Sequence, residues 1–146
     1  MNKEARTIYL IRRVQLDSSN ALQERLQSVG LTSSQYTAIS MLGHRGELSS
    51  AALARKLKIT PQSMNEVIAT LEEKKLVSRE EALDNRRVLL VKLTAAGRRQ
   101  LDACDEIVDK LEEEFLGCLS RKELTAIRET LLKILDNART AAEADS

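Results

Sequence analysis

The stretch from Ile59 to Thr94, ITPQSMNEVIATLEEKKLVSREEALDNRRVLLVKLT, constrains the fold more than any other part of the chain. Thr60 is a good N-cap, and Pro61 falls at the first helical position, where its missing N–H costs nothing. Ile59 before the cap and Met64 within the helix fit a hydrophobic staple. Met64, Val67, Ile68 and Leu71 recur at helical spacing and define one buried face. The opposite face carries Gln62, Glu66 and Ala69, flanked by Ser63, Asn65 and Thr70. A helix that offers short hydroxyl and amide side chains near its N-terminus suits a DNA major groove, where such groups reach base edges and phosphates.

A hairpin follows. Leu76–Glu80 and Val88–Leu93 are β-prone runs around a polar tip, residues 81–87, in which Asp84 and Asn85 favour a turn. Arg86 and Arg87 sit on that tip. Together they read as a wing reaching the DNA backbone or minor groove; a merely solvated turn is the competing reading.

The rest of the chain supplies the frame. Residues 4–29 form a helical pattern with Ile8, Ile11, Leu22, Leu26 and Val29 on one side and Leu10 and Val14 beside it. Gly30 is placed to end it. That much apolar surface calls for a second surface to cover it. Thr32 with Gln35 matches a capping box, and Leu31 with Tyr36 a staple, for a second helix running to about Leu42 and stopping at residues 43–46. Leu48 suits a short strand. Ser49 caps a third helix over 50–58, whose Leu53, Ala54 and Leu57 face inward. A helix, a tight turn, a capped helix and a hairpin make a winged helix-turn-helix.

Thr94 caps a long fifth helix to about Leu119, with a stripe of Leu101, Cys104, Val108, Leu111 and Phe115. Ser120 and Glu123 form another capping box, opening a last helix with Leu124, Ile127, Leu131, Ile134 and Leu135 on its apolar face. The tail from Ala141 is expected to fray. The fold class is therefore mainly α (α+β). A winged helix-turn-helix DNA-binding region, residues 32–94, lies within a single domain, 1–146, whose flanking helical regions are 1–31 and 95–146.

Composition excludes several classes. There is no apolar run long enough for a membrane span and no signal-peptide core, so membrane insertion and export are not expected. Cys104 and Cys118 both fall in helical pattern, which suits a cytoplasmic chain with reduced thiols. Cys104, in the apolar stripe, reads as a packed small hydrophobe. The acidic run Glu112–Glu114 disfavours a reactive thiolate at Cys118. With one histidine, His44, and no Cys–His spacing, no metal site is expected. No Gly-rich phosphate loop or gathered carboxylates suggest catalysis, so no catalytic residue or cofactor is assigned and the chain is not expected to be an enzyme. The net charge is +1, but it is uneven: +2 over residues 1–31, +3 over 32–94 and −4 over 95–146. A mildly basic centre beside an acidic end fits a DNA reader, with ordinary surface variation as the bland alternative.

The order of elements, and the runs LTSSQYTAISML, LSSAALARKLKITPQSMNEVIATLEEKKLVSR and DNRRVLLVKLTAAG, resemble the MarR family of transcription regulators over nearly the whole chain. The resemblance implies a homodimer whose first and last helices interlock. Each subunit would present its winged helix to half of a palindromic double-stranded operator, and a small aromatic or phenolic effector would release the DNA. It puts Thr60, Pro61, Gln62, Ser63, Asn65 and Glu66 of the recognition helix, Ser34 and Gln35 of the second helix, and Arg86 and Arg87 of the wing at the DNA. Arg12, Tyr36 and His44 would border an effector pocket between the first, second and fifth helices. The hydroperoxide-sensing branch of the family keeps its reactive cysteine in the first helix, where this chain has none.

Two positions depart from the family pattern. Asn85 stands where a wing aspartate is usual, with Asp84 as a substitute one residue earlier. Lys75 replaces the usual glycine after the recognition helix, a change expected to tilt the first wing strand. Gln62 and Asn65 also have a plain reading as solvated helix positions, and Glu66 as a minor contact repelled by phosphates. The competing function is a protein-interaction module on a winged-helix scaffold, which would need apolar anchors on the outer face of residues 61–70.

Overall fold

The computed structural model describes residues 5–144, so the start of the first helical pattern at residue 4 and the last two residues of the tail lie outside it. In chain order the elements are α1 (Thr7–Leu26), α2 (Ser33–Arg45), β1 (Leu48–Ser49), α3 (Ser50–Leu57), α4 (Pro61–Glu73), β2 (Val77–Glu81), β3 (Leu89–Leu93), α5 (Ala95–Phe115) and α6 (Arg121–Ala144). The strands form one antiparallel sheet in the order β1–β3–β2. Val77 faces Leu93, Glu81 faces Leu89, and Leu48 faces Val91. The chain divides into two compact units, Met1–Asp109 and Lys110–Ser146. The first unit includes most of α5, because Leu101 and Cys104 of α5 belong to the same buried cluster as the winged helix.

The first unit is built around Leu26, Ile39, Leu42, Leu53, Met64, Ile68, Leu71 and Val91, each essentially without exposed surface. Local signals in the sequence set the helix starts. Thr32 accepts from the Gln35 N–H while the Gln35 side chain accepts from the Thr32 N–H, closing the capping box. Ser49 accepts from the Ala52 N–H, and Thr60 from the Ser63 N–H. Ser63 lies three residues after its cap, and each such bond satisfies an otherwise orphaned donor, worth about 1 kcal/mol.

Four element ends differ from expectation. The first helix stops at Leu26 and continues as one 3-10 turn, Gln27–Val29, before Gly30. The second passes through Gly43 and ends at Gly46. Gly43 is a packing glycine rather than a stop: a Cβ there would come within 2.5 Å of Leu101 Cδ2. The fifth helix stops at Phe115, four residues early, and its last turns lead through Leu116–Leu119 into the Ser120 cap. The last helix stays regular to Ala144 instead of fraying from Ala141.

Gly97 fixes how α5 leaves the wing. A Cβ at this position would lie 1.9 Å from the Leu76 carbonyl oxygen, so the first turn of α5 packs directly on the backbone entering β2. Thr94 bridges the same corner, donating to the Lys75 carbonyl at 2.7 Å and accepting from the Gly97 N–H at 3.0 Å. Lys75 stands just before β2, where the family pattern has glycine. It adopts the left-handed conformation that glycine takes most easily, with φ 60.

The second unit is helical. Ser120 and Glu123 close the expected capping box, at 2.8 Å and 3.2 Å. The Ser120 N–H first and its hydroxyl second hold the Glu123 carboxyl below its ordinary pKa. Arg128 pairs with Glu112 at 3.0 Å across the turn. Ile127, Leu131, Leu132, Ile134 and Leu135 remain exposed on α6.

Candidate nucleic-acid interface

Helix α4 turns Met64, Ile68 and Leu71 fully inward, and this places Pro61, Gln62, Ser63, Asn65, Glu66 and Ala69 on the outside. Thr60 is exposed at its N-terminus, where unpaired N–H groups and the helix dipole favour an anion. The outer face carries no large apolar anchor of the kind a protein-binding helix would need.

Ser34 joins this surface. It is exposed and, with Ser33, Thr37, Leu57 and Ile59, lines an open cavity of about 140 Å³ between the start of α2 and the α3–α4 turn. Gln35 does not join it. The side chain is only 8% exposed and its oxygen is taken by the Thr32 N–H, so the capping box that starts α2 removes Gln35 from the DNA side.

The wing carries the second group of cations. Arg86 and Arg87 are exposed beyond the last hairpin bond, from the Ala82 N–H to the Val88 carbonyl. Asn85, not Asp84, shapes the tip: its Oδ1 accepts from the Arg87 N–H at 3.1 Å, an Asx turn. Among the described residues neither wing guanidinium takes an ion-pair partner, so both are free for phosphates. The strands behind them are braced, Arg79 to Glu72 of α4 at 2.6 Å and Lys92 to Glu80 across the hairpin at 2.6 Å. Glu80 raises the Lys92 ammonium above its ordinary pKa.

Sequence reasoning missed two features of this surface. Ser50, on the first turn of α3, donates to Asn65 Oδ1 at 2.6 Å and ties the two helices of the motif together. Lys58, exposed in the turn between them, holds a left-handed conformation with φ 54. The Ser50–Asn65 pair spans fifteen residues with no local pattern, so only the packed motif reveals it.

The residues suggested for an effector pocket are less gathered. Tyr36 is half-buried between α2 and α5, donating to Asp105 Oδ1 at 3.0 Å. Burial above all, then the bond to Asp105 and its charge, hold the phenol neutral and push its pKa up to about 12. His44 lies eight residues further along α2, a rise of about 12 Å, and both it and Arg12 of α1 are exposed. Of the three, only Tyr36 is half-buried. Cys104 is buried near Tyr36, its thiol pushed up in pKa by burial first and Asp105 second, while Cys118 is exposed in the second unit.

A winged helix-turn-helix with a polar recognition face and a cationic wing tip defines a class of DNA-binding proteins. Comparison with known proteins carries this to a family. The sequence model of the MarR family matches residues 29–87. The HTH-type transcriptional repressor Rv2887 of Mycobacterium tuberculosis is 31% identical over 126 residues, covering 86% of this chain and 91% of the relative. The transcriptional regulator HosA of Escherichia coli O157:H7 is 31% identical over 106 residues, 73% of this chain and 78% of the relative.

Among solved structures, Rv2887 in complex with DNA superposes with a TM-score of 0.78 at 29% identity, covering 90% of this chain and 98% of that one. The same protein has also been solved with salicylic acid. The chain belongs to the MarR family of winged helix-turn-helix transcriptional regulators, which are DNA-binding proteins and not enzymes. Among the described residues no helix is long and apolar enough to cross a membrane.

Proposed function

We propose that this protein is a homodimeric repressor, working in the cytoplasm, that reads a palindromic operator with two copies of α4 placed in successive major grooves. The single observation that carries the reading is the split of α4 into a fully buried apolar face and an outer face of Gln62, Ser63, Asn65 and Glu66, beside a wing tip with two unpaired arginines. Dimerisation follows from apolar surface left open on the terminal helices: Ile8, Leu10 and Val14 on α1, and Leu131, Leu132 and Leu135 on α6. A two-fold dimer matches a two-fold operator, with half-sites roughly 34 Å apart.

Release by a small aromatic acid is the matching regulatory proposal, supported by the relative solved with salicylic acid and by the polar, half-buried Tyr36 between α2 and α5. Such a ligand acts only through different affinities for the DNA-competent and incompetent spacings of the two recognition helices.

Fluorescence anisotropy against a duplex from the promoter upstream of the protein's own gene, at two salt concentrations and with excess random competitor, tests this. Competitor-resistant binding that weakens with salt is expected. Arg87→Ala should weaken all duplexes alike and lower the salt slope by about one unit. Asn65→Ala should cost about 1–3 kcal/mol on the preferred duplex alone. If both variants bind the preferred duplex as the unaltered protein does, α4 and the wing are not the DNA-reading elements.

A further inference from the structure

Two polar side chains on the outer face of α4 each arrive with one acceptor lone pair engaged and the oxygen turned toward its partner. Ser50 Oγ donates to Asn65 Oδ1 at 2.6 Å. Thr60 Oγ1 donates to Ser63 Oγ at 2.9 Å while itself accepting from the Ser63 N–H. The Ser63 hydroxyl hydrogen is therefore not used by Thr60. A carboxamide is planar, and its oxygen and nitrogen diverge from one carbon. With the Asn65 oxygen held against α3, its NH2 group turns away from α3, toward the exposed side. Next to the N–H groups that open α4, this adds outward donors to a face that also carries the Gln62 amide and the Glu66 carboxylate.

We propose that Asn65 is a donor-only reader that selects guanine over adenine in each half-site, with Ser50 as the positioning residue that fixes its orientation. The inference rests on the reading of α4 as the recognition helix. The usual pairing of asparagine with adenine needs both ends of the amide: the NH2 donates to N7 and the oxygen accepts from the N6 amino group. With the oxygen turned toward Ser50 and the NH2 group outward, adenine presents its amino group to another donor. Guanine presents two acceptors side by side, N7 and O6, and the two hydrogens of the Asn65 NH2 group match them. This replaces the adenine pairing that the residue type alone suggests.

The test uses a duplex selected by the full-length protein from a randomised pool, then a set with each half-site base pair replaced in turn. A further duplex carries 7-deazaguanine, which lacks the N7 acceptor. Binding of the unaltered protein, Ser50→Ala and Asn65→Ala is read by anisotropy. The unaltered protein should lose roughly tenfold or more in affinity when one guanine per half-site becomes adenine, in line with a bidentate base contact, and should also lose affinity to 7-deazaguanine there. Asn65→Ala should become indifferent at that position only.

Ser50→Ala frees the carbonyl, so its guanine-to-adenine ratio should narrow several-fold at the same position. Its folding is protected because Ser49, the cap of α3, keeps its bond to the Ala52 N–H, and a thermal midpoint within a few degrees of the unaltered protein checks that.

Three results overturn the proposal. Ser50→Ala discriminates guanine from adenine as the unaltered protein does; the position flattened by Asn65→Ala is an adenine; or Asn65→Ala weakens every duplex equally, which marks a phosphate contact. If the unaltered protein selects no sequence at all, the recognition-helix reading falls and this inference falls with it. A selected site that Asn65→Ala reads unchanged also overturns this inference, while leaving the recognition-helix reading in place.

Discussion

Helices α4 and α6 carry apolar stripes of the same period and meet different fates. On α4, Met64, Ile68 and Leu71 are completely buried, while on α6, Leu131 is 44% exposed and Leu135 63%. Patterning alone says that a face will be covered; it does not say by what. The face of α4 is covered by its own chain, because capped starts and short turns bring α2, α3 and the sheet onto it. The face of α6 stays exposed among the described residues, and in the proposed dimer a second copy covers it. The first kind of burial stabilises the fold at any protein concentration. The second stabilises it only as far as association proceeds.

The largest effect is expected inside the self-completed region. Gly97→Ala would force a methyl group against the Leu76 carbonyl, a backbone atom that cannot rotate away. We expect a loss on the order of 3 kcal/mol or more, enough to unfold a marginal domain. Urea unfolding followed by circular dichroism measures it, and a midpoint near that of the unaltered chain would mean that α5 does not lean on the wing strand as described.

A paired substitution separates the two stripes. Ile68→Ala, at a site with no exposed surface, should cost about 2–5 kcal/mol whatever the protein concentration. Leu135→Asp on α6 should leave the winged helix folded while lowering the dimer fraction in sedimentation, and should remove the concentration dependence of the thermal midpoint. If Leu135→Asp unfolds the chain as Ile68→Ala does, or if the dimer persists, the two faces do not differ in the way drawn here.

The regions differ equally in how far they are legible from sequence. Caps were readable because Thr32, Ser49, Thr60, Thr94 and Ser120 each act on N–H groups within three residues, a local cause with a local signature. The buried faces followed from periodicity. Close approaches did not: Gly43 read as a helix stop because its reason for being glycine, Leu101 of α5, is distant in sequence. The same holds in the site. The outward placement of Gln62, Ser63 and Asn65 followed from the period of α4, whereas the loss of Gln35 to its own cap and the Ser50–Asn65 bond needed the packed structure.

Tyr36 offers a smaller, pH-dependent probe of the self-completed region. Its pKa is raised from 10.0 to about 12, so the folded state favours the neutral phenol. For a raised pKa, the stability that this group adds is fully present below about pH 10 and is lost as pH rises toward about 12. Tyr36→Phe should thus flatten the fall in stability over that alkaline window. It should also cost about 1 kcal/mol at neutral pH through the lost bond to Asp105. Equal alkaline slopes in the two proteins would place the phenol in water.

The smallest effect tests backbone strain, at two lysines that share a conformation but not a setting. Lys58 and Lys75 both lie in the left-handed region, with φ 54 and φ 60. That conformation costs an L-residue roughly 1–2 kcal/mol, and glycine recovers it less the roughly 0.5–1 kcal/mol of extra freedom it gives the unfolded chain. Lys75→Gly should therefore stabilise the protein by up to about 1 kcal/mol and leave DNA binding unaltered, since Lys75 closes the turn from α4 into the wing behind the reading face. Lys58→Gly should stabilise by a similar amount but lower the salt slope of DNA binding, because it removes an exposed cation two residues before the Thr60 cap of α4. Equal binding by the two variants would remove Lys58 from the interface, and destabilisation by Lys75→Gly would mean that the lysine side chain contributes more at that turn than its strained backbone costs.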